Sequence, residues 1–179
     1  FAKLTTYYVF ITCFIGLVLS LFSEEFIKIF TTKDYYYATV VVPIYVNTFI
    51  INGMYFMVSI TFFYIKKAVK YLSLISIISA VINLILNITF IPDFGMLGAA
   101  WARFFSALFL FIAAYIVSQK IYYIPFEFGR ILKIITIMVG LLFAYMISPF
   151  TYDQYFYLLL YKILILSGYF ILLFTFRFF

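Results

Sequence analysis

Long apolar blocks alternate along this chain with short polar stretches. The blocks fall at residues 4–22, 35–63, 71–91, 96–117, 131–148 and 155–176. Crossing roughly 30 Å of hydrocarbon takes about 20 apolar residues as α-helix, and a helix satisfies its own backbone hydrogen bonds inside lipid. The pattern therefore predicts six transmembrane helices. The second block is long enough to tilt, or to bend at Pro43, whose missing amide frees a carbonyl one turn back.

Composition agrees with the pattern. Of 179 residues, 68% are hydrophobic and 10% are charged, where a soluble domain has about 45–50% and about 25%. Mean hydropathy is +1.21. The expected fold class is all-α, a polytopic membrane protein surrounded by membrane lipids. A net charge of +6 would in a soluble protein point to nucleic acid or an anionic surface. Here the charges sit in the connections, so no nucleic-acid partner is expected. Lys3, then Lys66, Lys67 and Lys70, then Lys120, Arg130 and Lys133, and finally Arg177 belong to one side. Lys28 and Lys33 share the other with Glu24, Glu25, Asp34, Asp93 and Asp153. By the positive-inside rule both ends of the chain are expected to be cytoplasmic, in the plasma (inner) membrane. An even number of spans agrees.

The first block begins almost at Phe1 and has no small-residue cleavage site, so it reads as a span and not as a signal peptide. The chain is expected to be the later piece of a longer protein. Cys13 is its single cysteine, which excludes an internal disulfide framework. Tyrosines cluster at 7–8, 35–37, 122–123 and 152–155, near block ends, where amphipathic rings favour the headgroup region.

Polar groups inside the blocks are the candidates for function, because a charge at the bilayer centre costs about 2.5–3.5 kcal/mol. Lys162 lies about two turns into the sixth block and is expected to snorkel to the interface on its long stem. Arg103 lies about two turns into the fourth. Ala99, Ala100, Ser106 and Ala107 share its side of the helix, and small residues there let another helix approach or leave open volume. Arg103 is thus expected to point inward, toward water or a ligand; pairing with carbonyls or snorkelling outward is the alternative. Ser76, Ser79, Ala80, Asn83 and Asn87 form one stripe on the third block, and Thr48, Asn52, Tyr55 and Ser59 another on the second. Two such stripes fit either interhelical hydrogen bonds or contact with a solute.

Histidine is absent, and all six carboxylates, Glu127 among them, are read in loops. General acid–base chemistry and metal ligation need such groups to converge. No catalytic constellation, metal site or cofactor is expected, and the protein is not expected to be an enzyme. A proton or sodium ion is the candidate coupling ion, with its relay outside these residues.

Asn83 and Asn87, Ile91-Pro92, Gly95 and Gly98-Ala99-Ala100 followed by Ala102 resemble a motif of the polysaccharide transporter (Wzx-type) flippases, in the superfamily of multidrug, oligosaccharidyl-lipid and polysaccharide exporters. The order of elements up to Lys120 is similar too. The resemblance implies two six-helix lobes around a cavity in a transporter of 12–14 helices. Residues 1–120 would be the last four helices of the second lobe, and 121–179 two additional C-terminal helices. It implies transport of a lipid-linked oligosaccharide, an undecaprenyl-pyrophosphate-linked unit of O-antigen, capsule or exopolysaccharide, by alternating access. Arg103, Asn83, Asn87 and Asn52 are then the expected substrate-binding residues. Arg103 departs from the pattern, which leads one to expect a small or hydroxylic residue; it fits an anionic substrate or a tolerated substitution. The competing readings are a drug or metabolite extruder of the same superfamily, a membrane enzyme of glycan assembly, and a scaffold protein.

Overall fold

A computed structural model of the chain describes residues 2–63, 68–147 and 155–175, without the side chains of Thr61 and Tyr155. Lys66, Lys67, Tyr152, Asp153, Arg177 and the block ends at Ser148 and Phe176 lie outside the described residues. The described residues are helical, joined by turns: α1 (Ala2–Leu21), α2 (Ser23–Phe30), a 3-10 segment (Lys33–Val40), α3 (Val42–Phe63), α4 (Val69–Ile121), α5 (Phe128–Met146) and α6 (Tyr155–Thr175). Among them, α1, α3, α4, α5 and α6 are long and apolar enough to cross a membrane.

Helix α1 is the centre of the bundle. Its row Val9, Cys13, Leu17 and Leu21, spaced four residues apart, is sealed from solvent at 0–1% exposure. The row Tyr7, Ile11, Ile15 and Leu19 is exposed, so one stripe packs and the opposite one faces outward. α1 packs against α3, α5 and α6, and α4 packs against α3. The main core joins α1 and α3 to Ile131, Ile134 and Met138 of α5 and to Ile165, Tyr169 and Leu173 of α6. A second core lies at the other side of α3, where Val58 and Phe62 meet Ala68 and Ala114.

Two elements differ from the sequence expectation. The second block was expected to run helically from residue 35 and to tilt, or to bend at Pro43. Residues 33–40 instead form the 3-10 segment, and α3 begins at Val42. Pro43 thus stands in the first turn, where its missing N–H has no helical acceptor to lose and its fixed φ is already helical. It starts the helix; it does not bend it. The second difference is α2, whose residues were read as an outer loop. Eight residues are too few for a stable isolated helix, and the segment is held by packing and by the ion pair described below.

Helix α4 is 53 residues long and is not straight. Gly95 has φ 55° and ψ −127°, the geometry of the first central position of a type II′ turn, which glycine alone adopts without strain. The chain reverses there. Ser79 and Ser106 would be about 40 Å apart along an unbroken helix of 1.5 Å rise per residue, yet the Ser79 hydroxyl donates to the Ser106 carbonyl at 2.9 Å. The arms 69–94 and 96–121 therefore lie side by side as a hairpin. Its tightness requires Gly98, since a Cβ there would fall on the Phe90 carbonyl oxygen. Substituting Gly95→Ala is expected to cost about 1–3 kcal/mol, the scale of a forced unfavourable φ/ψ. Gly140→Ala, in regular helix with open space around it, is expected to be neutral or slightly stabilising. Thermal unfolding of the two variants in one detergent checks the contrast.

Contacts between elements also sort the charges. The Thr6 hydroxyl donates to the Glu127 carboxylate at 3.1 Å, bringing the start of α1 to the start of α5. Tyr115, near the end of α4, stacks edge-on with Phe126 and Phe128. Lys3, Lys120, Arg130 and Lys133 are thus gathered at one end of the bundle and are exposed. The Gly95 turn and α2 lie at the other.

Candidate functional site

The hairpin of α4 carries the polar stripe read from the sequence, and the structure shows what that stripe bonds to. Ser79 is buried and spans the gap to the second arm. One turn further, the Asn83 amide donates to the Ser106 hydroxyl at 3.0 Å. The hydroxyl of Ser106, 1% exposed, donates in turn to the Arg103 carbonyl at 3.0 Å. Asn87 closes the ladder by donating to the Asn83 carbonyl at 2.8 Å and to its side-chain oxygen at 3.1 Å. The two asparagines and two serines form one connected seam, and Ser106 is its junction. Sequence reading placed Ser106 on the small-residue face without giving it this role. Its spacing to Arg103 is the signal that was available, since a serine in a helix commonly bonds back three or four residues.

Asn83 and Asn87 therefore engage each other and the second arm, which is the interhelical reading of their stripe. On α3 the same holds in part. Thr48 and Ser59 are buried and bond back to the carbonyls of Ile44 and Phe56, while the Tyr55 hydroxyl meets that of Ser76 across the α3–α4 contact at 3.4 Å. Asn52 is half-buried, and its amide makes no hydrogen bond among the described residues.

Arg103 stands among the small residues read from the sequence. Ala100, Ala102, Ser106 and Ala107 around it are buried, as a face of small residues should be. The guanidinium itself is exposed, and the bundle of described residues does not enclose it. The reason is geometric. At 3.6 residues per turn Arg103 falls between the row of Ala102 and Ser106, which meets the first arm, and the row of Ala100 and Ala107. A side chain that long in the seam between two close-packed rows has room only outward. Among the described residues it has neither an ion pair nor a side-chain hydrogen bond, so the carbonyl-pairing alternative is not what the structure holds. The ladder reaches the Arg103 backbone, not its side chain. Trp101, Phe104 and Phe105 stack with one another beside it.

A second polar constellation was missed. Lys162 does not snorkel: it is 2% exposed, and its ammonium lies 2.5 Å from a Glu25 carboxylate oxygen. The Phe22 and Tyr145 rings flank it at 5.1 and 5.6 Å. Glu25 accordingly does not hang in a solvated loop. It stands on α2, turned toward α6, and its second oxygen is buried without a hydrogen-bond partner among the described residues. A lysine held this way is neutralised by its partner and stabilised by the two aromatic faces. Beside it, Glu24 hydrogen-bonds Lys28 at 2.6 Å and raises that ammonium above its ordinary value.

Among the described residues no three histidine, cysteine or carboxylate side chains gather as a metal site would need. An open groove lies between α1 and α3. It has a volume of about 160 Å³ and is lined by Tyr8, Thr12, Ile15, Gly16 and the apolar residues opposite, Val46, Phe49 and Ile50. Its lining is hydrocarbon apart from two hydroxyls.

Fold and site together define an all-helical protein with five helices suited to crossing a membrane, one of them folded back on itself. No family model, curated protein or solved structure matches the chain.

Proposed function

We propose that this chain is the later part of a transporter that moves a lipid-linked oligosaccharide, carried on undecaprenyl pyrophosphate, across the plasma (inner) membrane by alternating access. In this reading the two arms of α4 cross the bilayer separately, the described helices make six crossings, and both ends of the chain are cytoplasmic. A second lobe completes the cavity. The protein translocates its substrate and does not transform it.

The observation that carries the reading is Arg103. It is exposed and unpartnered among the described residues, in a stretch, residues 96–117, that holds no other charged residue. It stands about 12 Å along the helix from the turn at Gly95, at 1.5 Å per residue. Left in hydrocarbon there, its charge would cost about 2.5–3.5 kcal/mol. A hydrated cavity containing an anionic group removes that cost, and the planar fork of a guanidinium matches the oxygens of a pyrophosphate. Asn52, with its amide uncommitted, is of the type that hydrogen-bonds sugar hydroxyls. Asn83 and Asn87 keep the second arm, and with it Arg103, in register. Proton or sodium coupling is part of the proposal, without a residue assigned to it here.

The test is glycan export from cells producing Arg103→Ala or Arg103→Lys at native levels. Arg103→Ala is expected to lower export at least tenfold, about 1.4 kcal/mol of lost interaction, with normal amounts of protein in the membrane. Arg103→Lys keeps the charge without the fork and is expected to retain part of the activity. Normal export by Arg103→Ala overturns the assignment. Export of drugs in place of glycan by the unaltered protein favours the extruder reading.

A further inference from the structure

Helix α2 carries its polarity in an unusual direction for the outer loop of a helical bundle. Glu24, Glu25 and Lys28 occupy one arc. Glu25 is turned to the buried ammonium of Lys162, and Glu24 and Lys28 are paired with each other. The other arc holds Phe26, Ile29 and Phe30, which are 42%, 74% and 78% exposed. The rings of Phe26 and Phe30 stack on each other at 6.4 Å and on no other described ring. An apolar face of this kind, left in water, would be an exposed hydrophobic patch with no counterpart.

What covers it is given by its surroundings. α2 leaves the end of α1 after a single residue, Phe22. The exposed row of α1, Tyr7, Ile11, Ile15 and Leu19, faces hydrocarbon if α1 crosses the membrane, and the exposed arc of α2 follows it directly along the chain. The 3-10 segment that follows exposes Tyr35 and Tyr37, the residue type enriched at headgroup depth. Charges on one arc and large apolar groups on the other are the pattern of a helix lying in the interface plane.

We infer that α2 is an interfacial helix. Its Phe26, Ile29 and Phe30 side chains insert into the boundary between headgroups and acyl chains of a lipid bilayer, and the Glu25–Lys162 pair fixes which face turns down. The occupant of this surface is the bilayer itself. The inference rests on α1 being a membrane span and is independent of what the protein transports.

The experiment uses the full chain in phosphatidylcholine–phosphatidylglycerol vesicles. With Trp101, the single tryptophan, changed to Phe, Phe26→Trp and Phe30→Trp each place one fluorophore on the face. Both are aromatic replacements at exposed positions, and unchanged thermal unfolding verifies the fold. The expected result is blue-shifted emission and loss of most of it to lipids brominated high on their acyl chains, about 5–10 Å into the boundary region, with little quenching by aqueous iodide. Red-shifted emission quenched by iodide means that the face stands in water and overturns the inference. Emission shielded from both quenchers means that protein covers the face, and overturns it equally.

Discussion

Replacing Glu25 with alanine is expected to destabilise the bundle by about 3–5 kcal/mol, the cost of leaving one partner of a buried ion pair uncompensated. The reason lies with Lys162. Its ammonium is 2% exposed, and its neighbours apart from Glu25 are the faces of Phe22 and Tyr145, which weaken but do not replace a counter-charge. Because Glu25 and Lys162 form one ion pair with each other, the double replacement Glu25→Leu with Lys162→Leu is expected to regain most of the loss; apolar substitutes for buried pairs are often neutral or better. Thermal unfolding of Glu25→Leu, Lys162→Leu and the double variant in detergent supplies the cycle. A loss in the double variant equal to the sum of the two single losses would show that the pair carries no coupling.

The second large effect is expected at Tyr169. This residue is fully buried where α6 meets α1. Its ring packs against Phe10 and Phe14 at 5.9 and 5.8 Å, and its hydroxyl donates to the Phe10 carbonyl at 2.9 Å. Tyr169→Ala removes a ring that the surrounding helices cannot collapse to fill, for a loss of about 3–5 kcal/mol. Tyr169→Phe keeps the ring and deletes only the bond, for about 0.5–1.5 kcal/mol. A ratio near one between the two losses, measured by unfolding under one condition, would mean that the hydroxyl and not the ring holds α6 in place.

Local signals found the local features. Apart from the second, whose helix begins seven residues late, each apolar block located its helical segment to within a few residues. The gap between the third and fourth blocks, residues 92–95, marked the reversal in α4, where Gly95 tolerates the φ that a tight turn demands. The four-residue spacing of Asn83 and Asn87 marked a stripe. What escaped were features decided by partners far along the chain. Glu25 and Lys162 are 137 positions apart, and no periodicity connects them. Each residue taken alone reads as a loop carboxylate and a snorkelling lysine, the common fates of those types. Pro43 escaped for a related reason: a proline can start a helix or bend one, and the choice rests on whether the preceding residues pack as helix. Arg103 was placed on the arc of small residues, where its side chain is exposed; wheel angle alone does not tell what such a side chain faces.

One feature of the core has practical weight. Cys13, the single cysteine in the sequence, is sealed at 0% exposure in the middle of α1. A membrane-impermeant maleimide therefore meets no exposed native thiol on the described residues of this chain. A cysteine introduced at Asn52, Arg103 or Phe30 of this chain then reports water access at that position, without a prior substitution in the core.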